Sequence, residues 1–421
     1  MKVLVISHNC FCTYENMGKT LMTLFSSFQS EEVCQLYCYN QYPDVMTACS
    51  YFRVTDLDIL NSYYMLKNNA CKVFPDMNKH DYSENINGFY LKSNNKSSMK
   101  VFLRDMMWRF SRWKNGSLLT WLKEENPTSI FLAPGRYKFI YNMAFYISRK
   151  LSIPIFSYIC DDYYFTLKNS NVFSAIEIKL LKRKIEKLMK LSNHLFTIND
   201  DLSKVYMDAF NISTTTLFTE TSNIIVDKPA KIQKPTHLSY LGNLNCKRYK
   251  SLISIGIALD NINSRYGTEY YLEIYSNERD EQILRELKAV NSIRFMGYIS
   301  GDEYKRTFKK SEIFVHIEAF DDKSVNTVKY SMSTKIADIL SSGKLLFAFG
   351  PKSVSSIRYL QRTGCAVVVT MEEELENKLS TVFLEHSKYT PVIQQAIKIA
   401  NINHKKGSSS NILKYKLMTC I

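Results

Sequence analysis

Residues 313–351 read IFVHIEAFDDKSVNTVKYSMSTKIADILSSGKLLFAFGP. The apolar run Ile313 to Ile317 has the length and β-branched content of a buried strand. A polar loop follows, and Ser333-Thr334 stands where an N-cap would precede the short helix Lys335 to Leu340. Gly343 breaks that helix, and Leu345 to Phe349 forms a second apolar strand. Strand, helix and strand in this order make a βαβ unit, the building block of a parallel sheet. The first-turn N–H groups of such a helix lack partners and carry its positive pole. With the hydroxyls of Ser331, Ser333 and Thr334 and the ammonium of Lys335, they suit a phosphate. Asp338, one turn on, offers two oxygens to a ribose diol. A solvated lysine on an ordinary helix fits the same residues.

Comparable units recur along the 421 residues, a length suited to two or three domains. Val3 to Ser7 is the first strand, and the loop His8 to Gly18 leads to a helix near Lys19 to Phe28. That loop has a single glycine, Gly18, so the G-x-G-x-x-G turn of NAD and FAD enzymes is absent. Strands at Val33 to Tyr39, Ser129 to Gly135, Pro154 to Ile159, His194 to Ile198 and Thr215 to Phe218 complete an N-terminal domain at 1–222. The stretch Gln41 to Asn95 is irregular, and Ser93 to Ser98 reads as a polar loop. Residues 223–236, with Pro229 and Pro235, read as a linker, and 237–421 as a second domain. Its opening strand ends at Gly242, before Lys247 and Arg248 start a helix. That makes a second candidate anion site, for which a guanidinium's planar fork is the better grip. Gly407 to Asn411 reads as a flexible joint before the last helix.

Two further features bear on chemistry. Asp161 and Asp162 follow the strand Pro154 to Ile159, and ligands in open α/β sheets gather at carboxyl ends of strands. They are candidates for acceptor binding or proton transfer; a metal-binding pair and a solvated loop are the alternatives. The net charge is +15. Twelve basic residues between Lys92 and Lys150 face only Asp105, Glu124 and Glu125. In 101–113, Phe102, Leu103, Met106, Met107, Phe110 and Trp113 recur at helical spacing beside Arg104, Arg109 and Arg112. A basic aromatic helix marks a membrane surface, and a core-facing helix with a basic edge has the same spacing. No apolar run reaches the roughly 18 residues of a membrane span, and Met1 to Ser7 is too short for a signal peptide. The ten cysteines show no Cys-x-x-Cys pair and no zinc spacing, which suits a reducing cytoplasm.

The residues Glu318-Ala-Phe320, then Lys335 to Gly350, resemble the donor-binding region of retaining GT-B glycosyltransferases, in a branch that makes capsule and O-antigen polysaccharides. Asp338 stands where that family has a second Glu, the loop from Asp321 to Met332 is longer, and Leu345 replaces Pro. The resemblance implies two doubly wound Rossmann-like α/β domains facing across a cleft. It implies a nucleoside diphosphate sugar as donor and co-substrate, with no metal and no other cofactor. It places Gly18 by the donor phosphates and acceptor, and assigns diphosphate binding to Gly242, Arg248 or Lys247, Ser333, Thr334 and Lys335. Glu318 and Asp338 would contact the donor, and Gly297 and Tyr298 the base. Arg248 and Lys335 would stabilise the leaving group, and Asp161 or Asp162 would assist the acceptor.

The resulting expectation is a cytoplasmic enzyme, peripheral at the inner membrane face, that extends a lipid-linked bacterial surface glycan. A basic nucleic-acid-binding protein and a non-catalytic membrane-surface scaffold remain as alternatives. No groove-reading helix or RNA-binding aromatic signature supports the former.

Overall fold

The computed structural model describes residues 1–13, 16–63, 71–74, 98–111, 113–114, 116–168, 171–232 and 234–420. Lys92, Lys96, Arg112 and the polar run 93–97 lie outside them. The chain forms two compact units, Met1–Phe218 with Gly407–Ile421, and Thr219–Lys406.

The first unit contains, in chain order, β1 (Val3–Ser7), α1 (Asn16–Leu24), β2 (Val33–Tyr37), β3 (Ser50–Arg53), α2 (Asp56–Tyr63), β4 (Cys71–Val73), α3 (Ser98–Phe110) and α4 (Gly116–Glu125). Then come β5 (Ser129–Ala133), α5 (Lys138–Leu151), β6 (Ile155–Ile159), α6 (Val172–Leu191), β7 (Ser192–Thr197), α7 (Asp200–Phe210) and β8 (Thr214–Thr216). Among the described residues the sheet order is β4-β3-β2-β1-β5-β6-β7-β8, parallel except for β3 with β4. Strand order reverses at β1/β5, which puts the crevice of an open sheet at their carboxyl ends. Strands β1, β2, β5 and β6 are buried along their length, as a sheet covered on both faces requires.

The second unit runs β9 (His237–Leu241), α8 (Arg248–Tyr266), β10 (Tyr271–Tyr275), α9 (Glu281–Lys288), β11 (Ile293–Gly297), α10 (Gly301–Lys310), β12 (Ile313–Ile317), α11 (Asp322–Val328) and α12 (Lys335–Ser341). It continues through β13 (Leu345–Phe349), α13 (Ser355–Thr363), β14 (Val367–Val369), α14 (Leu375–Leu384) and α15 (Thr390–Ile399). All its strand pairs are parallel, in the order β11-β10-β9-β12-β13-β14, with the reversal at β9/β12. There β12 pairs with β9 only through Ile313↔Leu238 and Phe314↔Ser239.

Several boundaries differ from the sequence reading: the stretch read as irregular, Gln41 to Asn95, holds β3, α2 and β4, and the joint expected at Gly407 to Asn411 is helical from Ser408 on. The final helix, α16 (Ser408–Thr419), belongs to the first unit and not to a domain ending at 421. Leu413 and Leu417 enter the core that Val3, Leu21 and Phe25 share, and Lys414 pairs with Glu32 at 2.6 Å. The expected linker 223–236 is part of the second unit: Val226 N donates to Ser341 O and Ala230 N to Gly343 O, at 3.1 and 2.7 Å. A Cβ on Gly343 would lie 2.6 Å from Val226 Cγ2, so this glycine serves the packing of that segment as well as the positive φ of a helix end. The polar loop expected at 321–332 contains helix α11, whose cap Asp321 accepts from Ser324 N at 3.2 Å.

Candidate functional site

The carboxyl ends of β9 and β12 converge on a buried ion pair. Glu318, one residue past β12, is 3% exposed. Its carboxylate takes both arms of the Arg248 fork, Nε to Oε2 at 3.0 Å and Nη2 to Oε1 at 2.9 Å. Arg248 Nη1 donates to Asn243 Oδ1 at 3.1 Å. The Ser251 hydroxyl donates to Glu318 O at 2.9 Å, and Gly350 leaves room beside it, since a Cβ there would meet Glu318 Cβ at 3.0 Å. Burial pushes the Glu318 carboxyl up and Arg248 opposes it, while the guanidinium's own value is raised by Glu318 against its burial. The bidentate geometry marks the pair as ionised.

Lys335, the first residue of α12, has no side-chain hydrogen bond or carboxylate partner among the described residues. Burial and the nearby Arg248 charge hold its ammonium below the usual lysine value, with Asp338 opposing. His316 is buried, within 2.9 Å of Ser356 Oγ and 3.9 Å of Glu318 Oε1. Burial and the charges of Arg248 and Lys335 push it down to about 3, so it is neutral at physiological pH. The result is a fixed guanidinium beside an unpaired ammonium whose charge a phosphate would stabilise.

The other expected donor residues divide. Gly242 lies at the turn after β9, where a Cβ would meet Tyr240 Oη at 2.7 Å. Lys247 faces the solvent and sits 3.5 Å from Asp321, an exposed pairing worth little. Ser333 and Thr334 precede α12, but Thr334 already has helical backbone angles and its hydroxyl makes no cap bond. Gly297 ends β11 at φ +80°, and Tyr298 after it is 71% exposed. Asp338 is engaged: its Oδ1 accepts from Thr221 Oγ1 at 2.7 Å and from Ser222 N at 3.1 Å, tying down the first residues of the unit. Asp338→Ala is accordingly expected to cost about 1.5–3 kcal/mol of stability, and Asp338→Asn, which keeps an oxygen acceptor, much less. Thermal unfolding of both variants checks this. Unchanged melting with weakened donor binding in both would assign the side chain to the ribose instead.

In the first unit, Gly18 lies in the first turn of α1, where a Cβ would come 2.4 Å from Cys12 Sγ and 2.7 Å from Cys10 O. Close packing of helix on loop is what it provides. Asp162 is committed to its own loop: it accepts from the backbone N–H of Tyr164, Phe165 and Thr166 and from Tyr206 Oη, at 2.7–3.2 Å. Asp161 keeps solvent contact and lines a cavity of about 40 Å³ with Met17, Gly135 and Tyr163, at the carboxyl ends of β5 and β6. The crowding walls push its carboxyl up, a bond to the Tyr163 hydroxyl opposes, and Asp162 adds to the rise. Of the two acids, Asp161 is the exposed one and Asp162 the buried one.

The basic helix is also rearranged. Trp108, not on the expected face, is buried: it stacks on Phe139 at 4.0 Å and donates to Asp56 at 2.6 Å. Arg104 pairs with the same Asp56 at 2.9 Å, and Trp113 lies past the helix end, buried against Tyr146. Leu103, Arg109 and Phe110 remain exposed. Sequence reasoning missed Asn243 and His316. The first adjoins Gly242, and the second stands two positions before Glu318 on the same strand face, which is the signal that would find it.

No protein-family model matches the chain, and no curated protein matches it. Solved structures do. HepE from Anabaena in complex with UDP has a TM-score of 0.61 at 10% identity, covering 100% of both chains. The trehalose-6-phosphate synthase OtsA has a TM-score of 0.61 at 9% identity, again over 100% of both chains. Sucrose-phosphate synthase from Thermosynechococcus elongatus has 0.56 at 10% identity and the same coverage. The likeness over the whole chain, with its two Rossmann-like sheets, shows that the fold is GT-B.

Proposed function

We propose that this protein is a glycosyltransferase that moves a sugar from a nucleoside diphosphate donor to a growing bacterial surface glycan, with retention of anomeric configuration. The observation that carries this reading is the unpaired Lys335 ammonium beside the Glu318-held Arg248, at the strand reversal of the second unit. In transfer, the bond from the sugar's anomeric carbon to the diphosphate breaks as the acceptor oxygen bonds that carbon. Negative charge then collects on the departing diphosphate. Fixed cations in a partly buried site stabilise that charge more than water does, without reorganising. Arg248 and Lys335 are the residues proposed for this role, so the diphosphate's charge falls to protein groups. Asp161 is the residue proposed to take the acceptor's proton. Tyr298 offers an exposed ring to the base. The solved HepE complexes with UDP and with UDP-glucose support the donor class.

A panel of UDP-, GDP-, ADP- and TDP-sugars in thermal unfolding tests the donor. A ligand bound only by the native state at a hundred times its Kd adds about 2.7 kcal/mol. At least one sugar nucleotide is expected to raise the melting temperature; none doing so would remove the reading.

The acceptor is proposed to be lipid-linked and the protein peripheral at the inner face of the cytoplasmic membrane. No helix of the described residues is long and apolar enough to cross a membrane. Exposed Leu103, Arg109 and Phe110 on α3 support surface docking, whereas Arg104, held by Asp56, and buried Trp108 and Trp113 have no part in it. Vesicles containing anionic lipid are expected to sediment the wild type at low salt, and Leu103→Gln/Phe110→Gln less. Equal sedimentation of both, or of neither, would reject docking through α3.

A further inference from the structure

We infer that the groove between α3, α5 and α6 is a second anion site, separate from the donor site, and that its ligand carries a phosphate group. The groove encloses about 460 Å³ in the first unit and is lined by Arg109 of α3, Lys138 of α5, and Arg183, Lys184 and Lys187 of α6. Asp105 is the one acid on its wall among the described residues. Lys138 pairs with Asp105 and lies 3.9 Å from Glu177, which Arg136 also holds, so these two acids and two cations balance one another at the floor of the groove. Lys184 donates to Asn142 Oδ1, a neutral group, at 2.5 Å. Arg109, Arg183 and Lys187 make no bond to a carboxylate among the described residues; Arg109 and Lys187 lie over the rings of Phe110 and Phe145. Four cations therefore face one cavity whose lining has a single acid, Asp105, and among the described residues none of the four is bonded to a carboxylate.

The placement is costly to the fold without a ligand. Residues 183, 184 and 187 share one helix face, where like charges three and four apart repel. Lys184 reports the repulsion: burial first, then the charges of Lys187 and Arg109, hold its ammonium below the usual lysine value, with Asp105 opposing. A phosphate in the groove would reverse that balance, since each charge-assisted bond favours the protonated amine. Met106 and Leu180 line the wall beside the cations, so an attached apolar group also finds contact. The phosphate could belong to a lipid headgroup or to a soluble molecule.

Peptide-resolved acetylation of lysines, followed by mass spectrometry, reads the site directly and apart from Lys335. One arm adds inorganic pyrophosphate, and the other compares phosphatidylglycerol with phosphatidylcholine vesicles. Acetylation of Lys184 is expected to slow about tenfold for each unit by which an anion restores its pKa. Lys187 is expected to slow with it, while the exposed Lys305 of the second unit stays unchanged. Slowing by pyrophosphate assigns a soluble phosphate ligand, and slowing by phosphatidylglycerol alone assigns a lipid headgroup. Arg109→Gln/Arg183→Gln, with its fold checked by circular dichroism, is expected to lose the protection. No slowing in either arm, equal slowing at Lys305, or undiminished protection in the variant would overturn the assignment.

Discussion

Lys335→Ala is expected to lower kcat/KM for sugar transfer by roughly 10²–10³, about 2.7–4 kcal/mol, the usual cost of losing one preorganised partner of a developing charge. The folded protein should not suffer. The Lys335 ammonium makes no hydrogen bond among the described residues, and its charged form is disfavoured by burial and by Arg248, with Asp338 opposing. A lysine whose folded value is depressed costs the native state stability wherever the ammonium is charged. Lys335→Met should therefore melt at or above the wild-type temperature without ligand, yet transfer sugar as poorly as the alanine variant. Circular dichroism melts beside a nucleotide-release assay separate the two effects. A large drop in melting temperature, or full activity, would remove Lys335 from the donor's grip.

Arg248→Ala is expected to do the opposite to stability. It leaves the Glu318 carboxylate buried with no countercharge, and breaking a buried pair on one side costs about 3–5 kcal/mol. Arg248→Met/Glu318→Leu removes both charges and should recover most of that loss. The pH dependence carries a sign. Burial already raises the Glu318 carboxyl, and without Arg248 it rises further. A raised carboxyl favours the protonated native state, so the single variant's deficit should be smallest at acidic pH and grow as pH rises through the folded value. Urea unfolding at about pH 5 and about pH 8 checks both points. A single variant as stable as the wild type, or a double variant no better than the single, would contradict the pair's structural role.

Local signals in the chain carry much of this fold. The apolar runs of β12 and β13, the helix between them and the break at Gly343 stand where periodicity and turn chemistry put them. Long-range choices were not legible. That α16 returns to the first core depends on where Leu413 and Leu417 find apolar partners, and no local pattern encodes that. Helix α11 has no apolar period and rests on one cap at Asp321. Short strands such as β4, at Cys71–Val73, are below the length at which alternation can be seen.

The candidate site divides in the same way. Arg248 and Lys335 are readable as cations at helix starts. Their environment is not, because Glu318 reaches Arg248, 70 residues away in sequence, only through the adjacency of β9 and β12. Asp162 and Asp338 read as free carboxylates, since a sequence does not show whether nearby N–H and hydroxyl groups will claim them. In α3 the spacing predicts the apolar face, but Asp56 draws Trp108 and Arg104 inward and turns the helix away from that expectation.

Calorimetric titration of the best sugar nucleotide into the wild type and Lys335→Ala tests the central claim most directly. Wild-type binding with a Kd at least about tenfold tighter than the variant's, about 1.4 kcal/mol, is predicted, while the parent nucleoside without phosphates binds both proteins alike. Equal affinity of the sugar nucleotide for both proteins would contradict a diphosphate site at Arg248 and Lys335.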